Sequence, residues 1–377
     1  MREPVKSLTG LRAIAAYAVL VAHIISWTIA RKDPSLQVLS ERVAYFGISL
    51  FFVLSGFVIE YNYTDSLMLE GWRGVINFLI ARFARLYPLY AALFVYAFYS
   101  SRVPYLDRPD IVISHLTLTQ SWIGAIRAYF PATWTISTEW FFYLAFIPLA
   151  RLFAVVRRPG RALLALLALG MMGLGILFYN RGEVVWVLIS IPGLLNRGDL
   201  SINVWDWVTY YSPLTRILEF FVGCLCARLH RQNLRPVPGL MAIGAIGWCV
   251  AVIAWGDQFG NDIVALLPNF IYAPAIAALI LYVLGKNVLS NILSSRPLLL
   301  LGEISYSVYL MQGLIVGRIF SFIDSAVLGS LVSICAVTLI SIITWLLIER
   351  PFRYLIRRLT VSAHPKLTRD ISVHRSG

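Results

Sequence analysis

The run LTGLRAIAAYAVLVAHIISWTIA, Leu8 to Ala30, decides the fold class, because it is almost entirely apolar and long enough to cross a membrane. A membrane-spanning α-helix needs about 20 mostly apolar residues. Similar runs recur along the 377-residue chain, which is 59% hydrophobic and only 14% charged. Soluble domains carry roughly 25% charged residues. The sequence therefore predicts an all-α protein, a polytopic transmembrane helical bundle.

The apolar runs predict about ten spans. They lie near residues 9–30, 43–61, 80–100, 132–153, 161–179, 208–228, 237–255, 263–285, 298–319 and 325–348. Most basic residues fall on one side of these spans, so the positive-inside rule places that side and both termini in the cytoplasm. Topology thus explains the net charge of +13, and we expect no nucleic-acid partner. We expect a membrane domain over 1–358, a disordered cytoplasmic tail over 359–377, and multi-pass insertion in the cell (inner) membrane.

Two ionisable residues stand out in the first run. Arg12 and His23 are eleven residues apart, which brings both side chains to one helix face and separates them by roughly 16 Å along the axis. Arg12 lies at the cytoplasmic rim, where it is either a topology anchor or part of a site. His23 lies beyond the midplane, where it either makes an interhelical hydrogen bond or functions. Ionisable groups inside membranes are functional candidates, and imidazole suits proton transfer near neutral pH.

Arg82 and Arg85, in NFLIARFARLYPLY, stand three residues apart at the cytoplasmic entrance of the third span. Residues at this spacing point the same way on a helix. Paired guanidinium groups suit phosphate through bidentate, charge-assisted hydrogen bonds. Ordinary anchoring by positive charge accounts for the pair equally well on spacing alone.

Glu139, in PATWTISTEWFFYLAF, lies about two turns inside the fourth span. Its estimated depth is close to that of His23, so the two side chains could form a carboxylate–imidazole dyad. A structural pairing with another helix is the alternative. Arg216 and Glu219 are three apart and are expected to pair with each other, and the small residues of GISLFFVLSG, Gly47 to Gly56, are expected to allow close helix approach. The four cysteines match no usual metal motif, so no metal is expected.

Six segments occur in the order seen in the acyltransferase 3 family, which the chain resembles from about Leu8 to Arg353. These are integral-membrane O-acyltransferases, many of which modify bacterial surface glycans. The segments are LTGLRAIAAYAVLVAH, GISLFFVLSGFVI, RFARLYPLY, WTISTEWFFYL, ISYSVYLMQ and IERPFR.

The resemblance implies roles for several residues. The family's basic residue and histidine in the first helix fall on Arg12 and His23, and its Arg-x-x-Arg pair falls on Arg82 and Arg85. In the family the histidine is taken to be catalytic, and the arginine pair is linked to the acyl-coenzyme A donor. The Trp-Ser-x-Ser-x-Glu signature is similar to the segment from Trp134 to Glu139.

The chain also departs from the family. Thr9 stands where an Asp is common, Ser49 where an acidic residue is common, and Met311 and Gln312 where a His often follows. If one of those acids were an obligatory partner of the histidine, the mechanism would differ here.

These observations predict a membrane O-acyltransferase that uses acyl-coenzyme A, with acetyl as the expected acyl group, and a glycan or lipid-linked saccharide acceptor. His23 would be the general base, Glu139 its partner, and Arg82, Arg85 and Arg12 the donor-binding residues. Transfer could be direct or pass through an acyl-imidazole. The alternative is a proton-coupled secondary transporter that uses His23 and Glu139. The sequence does not name the acceptor, the acyl length or the oligomeric state.

Overall fold

The computed structural model describes residues 5–28, 33–100, 108–123, 131–190, 204–233, 237–256 and 270–355. Every regular element within these ranges is helical. The predicted tail, 359–377, lies outside the described residues.

The described ranges contain fourteen helices of six or more residues. They are α1 Lys6–Trp27, α2 Pro34–Leu69, α3 Trp72–Ser100, α4 Pro109–Leu116, α5 Trp134–Val155, α6 Pro159–Tyr179, α7 Arg181–Ser190, α8 Pro213–Arg231, α9 Gly239–Trp255, α10 Ala273–Val283, α11 Val288–Leu293, α12 Arg296–Glu303, α13 Ser305–Ile319 and α14 Ala326–Leu355. Helix α14 contains a π-helical stretch, Trp345–Glu349.

Six of these helices, α1, α2, α3, α5, α6 and α14, are long and apolar enough to cross a membrane. The number rises to seven if α12 and α13, which meet at a 65° bend, form one broken span. The six coincide with six of the ten predicted spans. The other predicted spans correspond to α8, to the shorter α9 and α10, and to the bent α12–α13 pair, so the count of ten stays a prediction. The chain is a multi-pass helical membrane protein.

Helix α2 lies at the centre of the bundle and packs most extensively against α8 and α1. Glycines make these contacts possible. A Cβ atom on Gly56 would lie 1.9 Å from the carbonyl oxygen of Phe220, and one on Gly223 would lie 1.9 Å from that of Val53. A Cβ on Gly47 would lie 2.7 Å from the Ala15 oxygen. The predicted role of the small residues in α2 is therefore confirmed.

The α2–α8 crossing also contains the expected ion pair. Arg216 Nη2 lies 3.1 Å from Glu219 Oε2, and both side chains are fully buried. The Arg216 guanidinium carbon lies 5.0 Å from the centre of the Phe52 ring on α2. The charges of Arg216 and Glu219 therefore compensate each other within α8, and Arg216 joins α8 to α2 through a cation–π contact.

We expect Gly223→Ala to destabilise the bundle, because the new methyl group would meet the α2 backbone at the crossing. Overpacking of this kind costs about 1–3 kcal/mol, which exceeds the ~1 kcal/mol that alanine gains in helix propensity. Gly244→Ala in α9 is the matched control, since no atom lies within 4 Å of its added Cβ. Thermal melting in detergent should show a lower Tm for the first variant alone. Equal Tm values for the two variants would contradict the tight crossing.

Candidate active site

The segment WTISTE at the start of α5 divides its side chains between two faces. Ser137 donates a hydrogen bond to the Leu118 carbonyl at 2.7 Å, and the Trp134 carbonyl accepts one from Ser121 Oγ at 2.7 Å. These contacts anchor α5 to the segment that follows α4. Thr135 and Glu139, four residues apart and therefore on one face, line a cavity instead.

The cavity lies among α1, α2, α3, α5 and α13. Its polar lining comes from the side chains of Arg12, Ser55, Arg85, Thr135, Glu139, Tyr306 and Tyr309. Its apolar lining comes mainly from α2. An apolar cavity with a few convergent polar groups is typical of a ligand site.

Glu139 is held by two hydroxyl groups. Ser55 Oγ on α2 donates to Glu139 Oε1 at 2.9 Å, and Tyr143, one turn further along α5, donates to the same oxygen. Glu139 also interacts electrostatically with Arg12 and Arg85. The carboxylate is thus fixed in the cavity wall opposite two cations.

The structure gives the two α3 arginines different surroundings. Arg85 lines the cavity. Arg82 is only 8% exposed; its guanidinium donates to Tyr63 Oη and lies over the Tyr63 and Tyr143 rings, 4.7 and 5.8 Å from their centres. Three guanidinium nitrogens, Nε and Nη1 of Arg82 and Nε of Arg85, are buried and find no hydrogen-bond partner within the described ranges. The cavity therefore presents Arg85 and Arg12, with Arg82 packed behind them.

His23 lies near the end of α1 and is half-buried. Its Nδ1 is 2.9 Å from the Val19 carbonyl oxygen. A carbonyl oxygen can only accept, so Nδ1 carries the proton and Nε2 of the neutral ring keeps a lone pair. This is the state that a general base requires, and the helix backbone sets it.

The structure thus brings Arg12, Arg85 and Glu139 together and leaves His23 further along α1. The direct Glu139–His23 contact expected from equal depth is not found, because the hydrogen bonds of Glu139 go to Ser55 and Tyr143. His23 shares the Arg12 face of α1, about 16 Å further along the helix. The cavity and the imidazole of His23 therefore share one face of α1, but no contact joins the imidazole to Glu139.

Sequence reasoning missed several groups at the site. Tyr143 follows Glu139 at the i+4 position, which could have suggested the hydrogen bond between them. Tyr306 and Tyr309 of ISYSVYLMQ line the cavity, and Tyr309 accepts a hydrogen bond from Thr135 Oγ1 at 3.0 Å. Gln312, noted only as a departure from the family, is fully buried, and its amide has no hydrogen-bond partner in the described part of the chain. Within that part, no three His, Cys, Asp or Glu side chains come together as a metal site.

Fold and site together define a membrane-embedded helical protein with an arginine- and glutamate-lined internal cavity. The chain belongs to the acyltransferase 3 family, since the family profile, described as an acyltransferase domain, matches residues 5–350.

Relatives support the same class. The acyltransferase MdmB of Streptomyces mycarofaciens is 27% identical over 338 residues, 82% of this chain and 78% of that protein. The peptidoglycan O-acetyltransferase OatA of Listeria monocytogenes is 25% identical over 389 residues, 93% of this chain and 56% of that protein. The O-acetyltransferase OatA of Staphylococcus aureus is 25% identical over 382 residues, 92% and 57% of the two chains. The chain thus spans little more than half the length of the OatA proteins. No solved structure matches it significantly.

Proposed function

We propose that the protein transfers an acyl group, most simply acetyl, from acyl-coenzyme A to a hydroxyl of a glycan or lipid-linked saccharide on the far side of the membrane. One observation carries the proposal. Arg12, on the same helix face as His23, lines one cavity with Arg85 and Glu139. The names of the relatives, a peptidoglycan O-acetyltransferase among them, favour a cell-envelope saccharide as acceptor.

In this proposal the arginine end of the cavity, on the cytoplasmic side, holds the phosphates of the donor. Coenzyme A is multiply anionic, and guanidinium groups bind phosphate through charge-assisted hydrogen bonds. The pantetheine arm then runs along the Arg12–His23 face of α1 and carries the thioester towards the imidazole.

His23 acts as the general base. Nε2 removes the proton of the acceptor hydroxyl as its oxygen attacks the thioester carbonyl carbon. The C–S bond breaks as the new C–O bond forms, and the imidazolium returns the proton to the departing thiolate. General-base catalysis of this kind contributes about 10²–10⁴-fold.

Glu139 has a positioning role in this scheme. Its carboxylate is tied to Ser55 and Tyr143 and faces Arg85 electrostatically. It therefore fixes the orientation of the guanidinium groups that meet the donor, and it does so without touching His23.

The test uses purified protein in lipid nanodiscs with acetyl-coenzyme A labelled in the acetyl group and a panel of saccharides, peptidoglycan fragments included. We expect label in an acceptor and free coenzyme A thiol in equal amounts. Absence of thiol release with every acceptor, together with proton-driven solute flux in proteoliposomes, would support the transporter alternative and reject the proposal.

Glu139→Gln should raise the KM for the donor about tenfold, because the amide binds Tyr143 less strongly and lets Arg85, which binds the donor in this proposal, move. A hydrogen bond to a charged group is worth about 1.5–3 kcal/mol, and 1.4 kcal/mol corresponds to tenfold. The kcat should change little, since Glu139 does not contact His23. Glu183→Gln on the exposed face of α7 is the control. A lower kcat with an unchanged donor KM would contradict this positioning role.

A further inference from the structure

Arg353, the last residue of IERPFR, is held firmly on α14. Its Nη2 lies 2.8 Å from Glu349 Oε2, and its Nη1 lies 3.6 Å from Glu303 Oε2. Glu349 is buried and also accepts a hydrogen bond from Ser307. The Nε of Arg353 is buried and has no hydrogen-bond partner among the described residues. A fixed guanidinium group therefore keeps one buried donor unused.

The same guanidinium lies near enough to the cavity arginines to interact with them electrostatically. Arg353 interacts electrostatically with Arg85 and Arg82, and Arg12 interacts with Arg85 and Arg353. Arginines from α1, α3 and α14 thus converge, and Arg82, Arg85 and Arg353 each keep a buried N–H donor unpaired. An unsatisfied buried donor destabilises the folded protein. A multiply anionic ligand would satisfy the donors of Arg85 and Arg353 together.

An open groove lies beside Arg353, with about 1400 Å³ of empty space. We call it the Arg353 groove, and it is lined by Glu303, Trp345, Leu346, Arg350, Pro351, Arg353 and Tyr354. The Arg350 guanidinium carbon lies 5.7 Å from the centre of the Trp345 ring. Tyr354 is exposed, and Trp345 is half-buried. Aromatic rings beside arginines suit a nucleobase that stacks and phosphates that bind the cations.

We propose that the Arg353 groove binds the nucleotide end of the acyl-coenzyme A donor, with Arg353 contacting a phosphate. This inference rests on the proposed use of acyl-coenzyme A. It adds a nucleotide-binding surface on α12 and α14 to the arginines of α1 and α3.

The test compares three donors: acetyl-coenzyme A, its form without the 3′-phosphate, and acetyl-pantetheine, which lacks the whole nucleotide. Arg353→Gln should raise the KM for acetyl-coenzyme A about tenfold or more, as expected for loss of a charged hydrogen bond. It should leave the KM for acetyl-pantetheine at the wild-type value. The same loss with all three donors, or no loss with any, would overturn the inference.

A second variant covers the case in which Arg353→Gln fails to fold because Glu349 loses its partner. Arg350→Gln removes an exposed groove cation and should raise the KM for the two nucleotide donors only, with an unchanged Tm. If it does not, the groove does not bind the nucleotide.

Arg296→Gln, an exposed arginine at the start of α12 and outside the groove, is the control and should change nothing. Failure of the wild-type protein to use any of the three donors would reject the proposed function itself, whereas normal wild-type turnover with unaffected groove variants would reject this inference alone.

Discussion

His23→Ala is expected to abolish acyl transfer, with kcat about 10²–10⁴-fold lower, while the folded protein accumulates in the membrane at its normal level. The size of the effect is that of a lost general base. The alanine removes the one side chain on the Arg12 face of α1 that can accept a proton from the acceptor hydroxyl in this scheme. Little else should change, because the hydrogen bond of His23 is local, to the Val19 carbonyl within its own helix.

The matched control is His230→Ala. His230 lies on α8, where its ring is 5.7 Å from that of Tyr61 and 6.1 Å from that of Phe57, and it does not line the cavity. This variant should keep its kcat. Thiol release and acceptor labelling, normalised to detergent-purified folded protein, are the measurements. Wild-type turnover by His23→Ala would exclude the imidazole as base.

Arg85→Gln is expected to raise the donor KM by about 10- to 100-fold, which corresponds to the 1.5–3 kcal/mol of a hydrogen bond to a charged group. The reason is its position: Arg85 lines the cavity, with Nε buried and no hydrogen-bond partner in the described ranges. The acceptor KM should change little, because the acceptor approaches from the His23 end.

The Arg82→Gln variant tests whether Arg82 binds the donor or mainly stabilises helix packing. Arg82 lies over two tyrosine rings and donates to Tyr63, so its loss should lower the Tm more than Arg85→Gln does. Its effect on donor KM should be the smaller of the two. If both variants raise the donor KM equally and keep the same Tm, the two arginines act as one phosphate fork, which is one of the two interpretations that their spacing allows.

Much of the architecture could be predicted from the sequence, because membrane physics acts on short segments. The apolar run of α1, the small residues Gly47 and Gly56, and the Arg216–Glu219 pair each follow from length or from helical spacing within one element. The family resemblance, confirmed over residues 5–350, rests on six such segments.

The side-chain partners could not be predicted in the same way, since they depend on which helix lies opposite. Spacing places Arg82 and Arg85 on one side of α3, but Tyr63 of α2 and Tyr143 of α5 cover only Arg82. The depth estimated along straight helices predicts that Glu139 lies level with His23. That depth estimate does not say where the two helices lie relative to each other within the membrane plane. The Glu139 carboxylate accepts a hydrogen bond from Ser55 instead. Tyr306, which lines the cavity, lies directly after the 65° bend between α12 and α13, and helical spacing does not predict such a bend.

The central claim is that the arginine end of the cavity holds an acyl-coenzyme A whose thioester reaches towards His23. The most direct test is an experimental structure with a thioether analogue of acetyl-coenzyme A, which binds but cannot transfer its acyl group. We expect phosphate density beside Arg85 and the sulfur atom further along the Arg12 face, towards Nε2 of His23. Phosphates bound away from Arg85 and Arg12, or no binding at concentrations that saturate turnover, would contradict the central claim.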